Sequence, residues 1–386
     1  MMPALFMEKK SDMSMSKIPV CSPLLAGNEL EYVTEAVSTG WISSSGKYVA
    51  EFEKAFASYC GVKHGIAVCN GTVALHLALV ALGVGPGDEV IIPDFTMAAS
   101  AFAVCYTGAK PVFVDACART WNMDAAKVAE KITPNTKAVM PVHIFGNPCD
   151  MDALRALAQK HGFALLEDAA EAHGSEFGSV KAGALGKIAA FSFFANKNIT
   201  TGEGGMVVTD DDELANVCRY YKNLCFPLHA PRTYLHRHIG FNYRMSNLHA
   251  ALGLAQVEKS DYYRSLRIRH GLLYRELLKN TPGITLQEDQ LHGLNVFWMN
   301  GLAVQPETYG HTRDELVTHL AENGVETRLF FQGMHRQPAL KDFGCDCSGE
   351  YPVCDFLADN GLYLPSGSGL SESDIQMICR LIHTFR

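Results

Sequence analysis

Between Gly65 and Asp210 the chain alternates short, nearly uninterrupted apolar runs with stretches whose apolar residues recur at helical spacing. The runs IAVC, EVIIP, PVFVD, AVMPVHIF and FALLED have the length and composition of strands buried on both faces. Between them, TVALHLALVAL, AASAFAVCY and MDALRALAQKHG carry the helical period. Strand followed by helix, repeated, predicts a mainly parallel sheet flanked by helices, an α/β architecture. IAAFSFF and GMVVTD have no full helix between them, so the sheet is expected to be mixed. After about residue 255 a charged helix, SDYYRSLRIRHGLLYRELLKN, and shorter strand-like pieces such as VFWMNGLAV replace this rhythm. The expected organisation is a large domain over residues 18–255 and a smaller α+β domain over residues 256–386, after a disordered lead-in over residues 1–17.

Ligands of open α/β sheets gather beyond the carboxyl ends of the strands. The segments NGT, PDFT, EDAAEA and FSFFANK all end or follow expected strands, so they converge on one pocket. FSFFANKNITTGEGG, Phe191 to Gly205, sets a single lysine between a buried strand and a glycine-rich turn. Most lysines are solvated surface charges. Here the apolar FSFF desolvates the ammonium and lowers its pKa, and the turn lets backbone approach a ligand. Lys197 is therefore the candidate Schiff-base nucleophile. LLED ends in Asp168, a carboxylate suited to keeping a pyridine nitrogen protonated, and a lysine and an aspartate in these roles indicate pyridoxal phosphate. Glu171 follows one helical turn later, where it reaches a phenolic oxygen. The same D-x-x-E spacing fits a capping box, and both readings stand. Asn70-Gly71-Thr72 opens a helix directly after a strand, either as a simple N-cap or as a phosphate cup, with Ser192 adding a hydroxyl.

The chain has 386 residues, 48% of them hydrophobic, and a net charge of -8, so it has a large core and no basic field for nucleic acid. No run reaches the roughly 18 to 20 apolar residues of a membrane helix, and MMPALFMEKKSDMSMSK lacks an export core, so cytoplasmic residence is expected. The 12 cysteines are scattered through apolar segments, as reduced, mostly buried thiols are. Cys345, Cys347 and Cys354, with His335 upstream, form the one tight cluster. It lacks paired C-x-x-C spacing, so zinc is the lesser reading and no metal is expected. Neither GVGPGD nor TGEGG has the G-x-G-x-x-G spacing of a dinucleotide fold, and G-x-x-x-x-G-K-[ST] does not occur.

Six ordered segments, GWISSSGKYVAEFEKAFASYCGVKH, NGTVALHLAL, PGDEVIIPDFT, EDAAEAHG, FSFFANKNITTGEGG and GFNYRMSNLHAALGLAQ, resemble the DegT/StrS family of sugar aminotransferases. The resemblance runs from about Ile18 to the C-terminus. It implies the aspartate-aminotransferase fold (fold type I), with Lys197 bonded to pyridoxal phosphate, Asp168 at the ring nitrogen and Glu171 by the phenolic oxygen. Gly71, Thr72 and Ser192 would then hold the phosphate. Met97 stands where many relatives place an aromatic ring, so a thioether covers the pyridine face. A homodimer with shared sites is also implied, in which an asparagine reaches the phosphate of the other subunit. Asn242 is the choice, with Arg244 and Asn247 close by.

The implied reaction takes an amino group from L-glutamate, leaving pyridoxamine phosphate, and gives it to a 4-keto-6-deoxy nucleotide sugar, GDP-4-keto-6-deoxymannose. Trp41, Ser43, Ser44, Arg328 and His335 are the candidate nucleotide-sugar contacts. Each also has an ordinary reading as packing residue, polar turn, surface ion pair or core histidine. Related dehydratases carry histidine in place of the lysine, which favours aminotransfer here. The competing readings are a lysine-using dehydratase, an aminotransferase acting at another sugar carbon, and a non-catalytic sensor.

Overall fold

The computed structural model describes residues 17–386 apart from His229 and Arg232. The expected lead-in, Lys17 excepted, lies outside the described residues. Seven strands form one sheet in the order His64–Val68, Gly205–Thr209, Ile188–Ser192, Ala164–Asp168, Thr136–Val139, Glu89–Pro93 and Lys110–Val114. Only Gly205–Thr209 runs against its neighbours, and every other adjacent pair is parallel. This is the mixed, mainly parallel sheet expected from the missing helix between the last two apolar runs.

Alternation along each strand sends side chains to opposite faces. Ile66 and Val68 join a core on one side with Val90 and Ile92. Ala67 and Ile91 point into a second core, where Phe52 and Phe56 of helix Lys47–Cys60 meet Ala250 and Ala251 of helix Asn247–Glu258. A separate antiparallel sheet, in the order Ile284–Leu286, Asn300–Val304, Gly361–Leu364 and Arg328–Leu329, packs with helices Ser260–Leu278 and Glu372–Thr384 around a third core. Among the described residues no helix is long and apolar enough to cross a membrane.

Two apolar runs fold differently from a plain strand reading. In AVMPVHIF the strand stops at Val139, because Pro141 has no N–H for the ladder, and Phe145 turns into a left-handed conformation at φ 58°. In VFWMNGLAV the strand begins only at Asn300. The residues before it bond elsewhere: Val296 N–H donates to Gly146 O and Trp298 N–H to Phe145 O, at 3.1 and 2.8 Å. The tertiary partner overrides local β propensity and leaves Phe297 at φ 49°.

Candidate active site

A cavity of about 350 Å³ opens at the carboxyl edge of the large sheet. Gly71, Thr72, Met97, Asp168, Glu171, Ser192 and Lys197 all line it, so the four expected segments do meet at one place. At its base Asp168 ends strand Ala164–Asp168 and is almost completely buried. Its carboxylate accepts Ser100 Oγ–H at 2.7 Å and Ala170 N–H at 3.2 Å. Two donors leave about half of a carboxylate's acceptor capacity unused. Burial pushes the Asp168 pKa up, opposed by these bonds and by the Lys197 charge.

Glu171 is buried 26 residues away in sequence from the backbone that holds it, Phe145 N–H, which donates to Oε2 at 2.7 Å. The left-handed backbone of Phe145 aims that N–H, and a bulky residue in this region is strained, a cost accepted where the backbone serves a site. Burial pushes the Glu171 pKa up to about 7, with the Lys197 charge opposing. The same desolvation pushes the Lys197 ammonium below its ordinary value, against the pull of Glu171 and Asp168. A lysine with a depressed pKa beside carboxyl groups with raised ones is an acid–base assembly suited to moving protons near neutral pH.

The expected phosphate cup has the shape for an anion. Asn70 Oδ1 caps Val73 N–H at 3.0 Å, and no bond among the described residues uses the N–H groups of Gly71 and Thr72, the first two residues of helix Gly71–Ala81. A Cβ on Gly71 would lie 2.7 Å from Ser192 Cβ, so only glycine lets this turn sit against the strand that carries Ser192. Free N–H groups at a helix start, two hydroxyls and a buried carboxylate opposite a lysine fit pyridoxal phosphate.

Trp41, Ser43, Ser44, Asn242, Arg328 and His335 do not line this cavity. Trp41 and Ser43 are exposed on the loop before helix Lys47–Cys60, and Ser44 lines a separate polar hollow with Arg219, Lys222 and Arg244. Asn242 is exposed. Asn247 is buried, and both ends of its amide are engaged within the chain: Nδ2 donates to Trp41 O at 2.6 Å and Oδ1 accepts Tyr48 N–H at 3.0 Å. Arg328 is exposed and pairs with Glu326 at 2.5 Å.

His335 Nδ1 faces Asp94 at 2.7 Å and Nε2 faces Asp355 at 3.2 Å, with the ring stacked on Tyr351. The expected cysteine cluster separates. Cys354 joins His335 and Asp94, their ligating atoms all within 4.8 Å of one another, while Cys345 and Cys347 stay outside this group. All 12 cysteines are free thiols.

Sequence reading missed three residues that line the cavity or hold residues lining it. Ser100, four residues beyond Thr96 on the helix after PDFT, orients Asp168, and the i, i+4 spacing of Thr96 and Ser100 was the available signal. Phe145 gives no signal, since nothing in an aromatic residue announces a left-handed backbone. Trp298 lines the cavity from the second sheet's side of the chain, hidden within a run that reads as a strand.

The fold is that of a fold-type-I aminotransferase, and the chain belongs to the DegT/DnrJ/EryC1/StrS aminotransferase family, whose model matches residues 23–383. It is 47% identical over 363 residues to GDP-perosamine synthase of Caulobacter vibrioides, covering 94% of this chain and 96% of that one. To GDP-perosamine synthase of Escherichia coli O157:H7 it is 41% identical over 371 residues, covering 96% and 99%. The crystal structure of DesI in the presence of its TDP-sugar product superposes with a TM-score of 0.87 at 33% identity, covering 96% of this chain and 93% of that one.

Proposed function

We propose that this enzyme transfers the amino group of L-glutamate to C4 of GDP-4-keto-6-deoxymannose, giving GDP-perosamine, with pyridoxal phosphate as cofactor. The observation that carries this is the convergence of Lys197, Asp168 and Glu171 on one cavity that also contains an open helix start. Similarity to GDP-perosamine synthases over nearly the whole chain supports the choice of sugar.

When bound, pyridoxal phosphate supplies an electron-accepting ring that carries nitrogen from donor to acceptor. The N–H groups of Gly71 and Thr72 and the hydroxyls of Thr72 and Ser192 would hold its phosphate, and the Met97 thioether would cover its ring. Asp168, held in aim by Ser100, would accept the N–H of the protonated ring nitrogen with its unused lone pairs. Glu171, whose carboxyl burial raises to about 7 so that a protonated fraction persists near neutrality, would donate to the phenolic oxygen. Lys197 Nζ, whose charged form desolvation disfavours, takes the α-proton of glutamate and later returns a proton to C4 of the sugar.

A second copy of the chain completes the site in this reading. Exposed Asn242 reaches the phosphate of the other subunit, and Trp41, Ser43 and Ser44 offer the nucleotide an aromatic face and hydroxyls. The division into a cofactor domain up to about residue 255 and a smaller domain after it belongs to the same reading.

Incubation with GDP-4-keto-6-deoxymannose and glutamate, followed by mass spectrometry, tests the function. The expected result is replacement of the keto oxygen by an amine. Loss of water without gain of nitrogen would instead indicate a dehydratase.

A further inference from the structure

We propose that Trp298 is a positioning residue that receives the Lys197 ammonium on its indole face whenever that amine is not covalently engaged, and so sets how readily the lysine gives up its proton. This rests on the reading of Lys197 as the reactive amine. Lys197 Nζ lies 3.6 Å from the centroid of the Trp298 ring, within the range of a cation–π contact. Glu171 and Asp168 act on the Nζ charge without forming a hydrogen bond or ion pair with it among the described residues, and the indole face is the direct contact the structure gives it.

Trp298 is held in place from three directions. Its indole N–H donates to Asn196 O at 3.0 Å, the carbonyl next to Lys197 in the chain, so the ring is tied to the lysine's own loop. Its carbonyl accepts Arg267 Nη1–H at 3.0 Å, and Arg267, itself only 2% exposed, also donates to Ser368 Oγ at 2.9 Å. Its N–H donates to Phe145 O, the residue whose own N–H holds Glu171. Phe297 sits beside it at φ 49°, and Gly271 gives it room, since a Cβ there would come within 2.1 Å of the Phe297 ring. A strained turn and a buried guanidinium thus serve to present one aromatic face.

The choice of an aromatic partner has a chemical consequence. A carboxylate in contact with Nζ would hold the ammonium strongly and oppose its deprotonation. A quadrupole attracts the cation more weakly and offers the neutral amine an apolar surface, so the lysine has a resting place in either state. The ring favours the charged form, so replacing it with an apolar side chain that keeps water out is expected to lower the Lys197 pKa further.

The pH dependence of acetic anhydride labelling of Lys197 in cofactor-free protein, read by peptide mass spectrometry, tests this. The midpoint of the labelling curve reports the pKa whatever the accessibility. Trp298→Leu is expected to move the midpoint down by about one pH unit, a tenfold rise in neutral amine at a fixed acidic pH. Trp298→Phe keeps a weaker ring face and should move it by roughly half as much, and it decides the matter if the leucine variant does not fold. A midpoint unchanged or raised in the folded variants overturns the proposal. Failure of the underlying reading is separate: wild-type protein would then transfer no nitrogen, while the labelling shift would still appear.

Discussion

The cavity around Lys197 and the cluster of Asp94, His335 and Cys354 lie at the carboxyl edge of the same sheet, and both bury carboxylates beside basic or thiol groups. Their polar groups are satisfied in opposite ways. Asp94 is completely buried, and its two oxygens accept His335 N–H at 2.8 Å and face Nδ1 at 2.7 Å, while the Cys354 thiol bonds to it as well. The His335 ring faces a carboxylate at each nitrogen. This cluster is closed, and it ties residues 241 positions apart, fixing the loop that carries Met97 to the C-terminal part of the chain. In the cavity, Asp168 and Glu171 keep unused lone pairs, and Lys197 rests on an aromatic face. Similar residue types build a strut in one place and line an open cavity in the other, and the difference is spare hydrogen-bonding capacity.

Substitutions should separate the two clusters. Lys197→Ala should lower turnover by roughly 10³-fold or more, within the span set by losing a nucleophile and acid–base group together. It should also abolish the cofactor adduct that borohydride fixes at this lysine in the wild type, read by peptide mass. Asp168→Asn should lower turnover on the order of 10²-fold, yet leave the cofactor-free protein as stable or more so in thermal unfolding. The folded-state pKa of Asp168 is raised. Its ionised form therefore weighs against folding above its ordinary pKa, and an uncharged amide removes that burden.

His335→Ala should do the reverse. Removing a partner of the buried Asp94 should cost about 1 to 3 kcal/mol in denaturant unfolding, with kcat little changed while the protein stays folded. The smallest effect is a slope. The Glu171 pKa is raised from 4.5 to about 7, so the stability its protonated form contributes is complete below pH 4.5 and lost as pH rises through about 7. Across that window the wild-type unfolding free energy should fall by at most about 1.4 kcal/mol per pH unit on this account, and Glu171→Gln should flatten the curve.

The sheet was legible because buried parallel strands read as short apolar runs, and Lys197 because FSFF and TTGEGG mark a buried strand and a turn on either side of it. What escaped depends on partners distant in sequence. The strand expected through Val296–Met299 fails because Phe145 and Gly146 claim its hydrogen bonds from 150 residues away. Asn247 looked free to reach another chain, but its amide is spent on Trp41 and Tyr48, and no local pattern encodes that pairing. The cysteine cluster was judged by its spacing, whereas folding selected only Cys354 from it and supplied Asp94 from the large sheet.

Trp298 and Phe331 both border the cavity, and both belong to the last quarter of the chain. During synthesis the lysine, its aspartate and the phosphate turn leave the ribosome well before these two residues. A growing polypeptide therefore carries most of the cavity's polar lining before the segments that close its remaining wall are made.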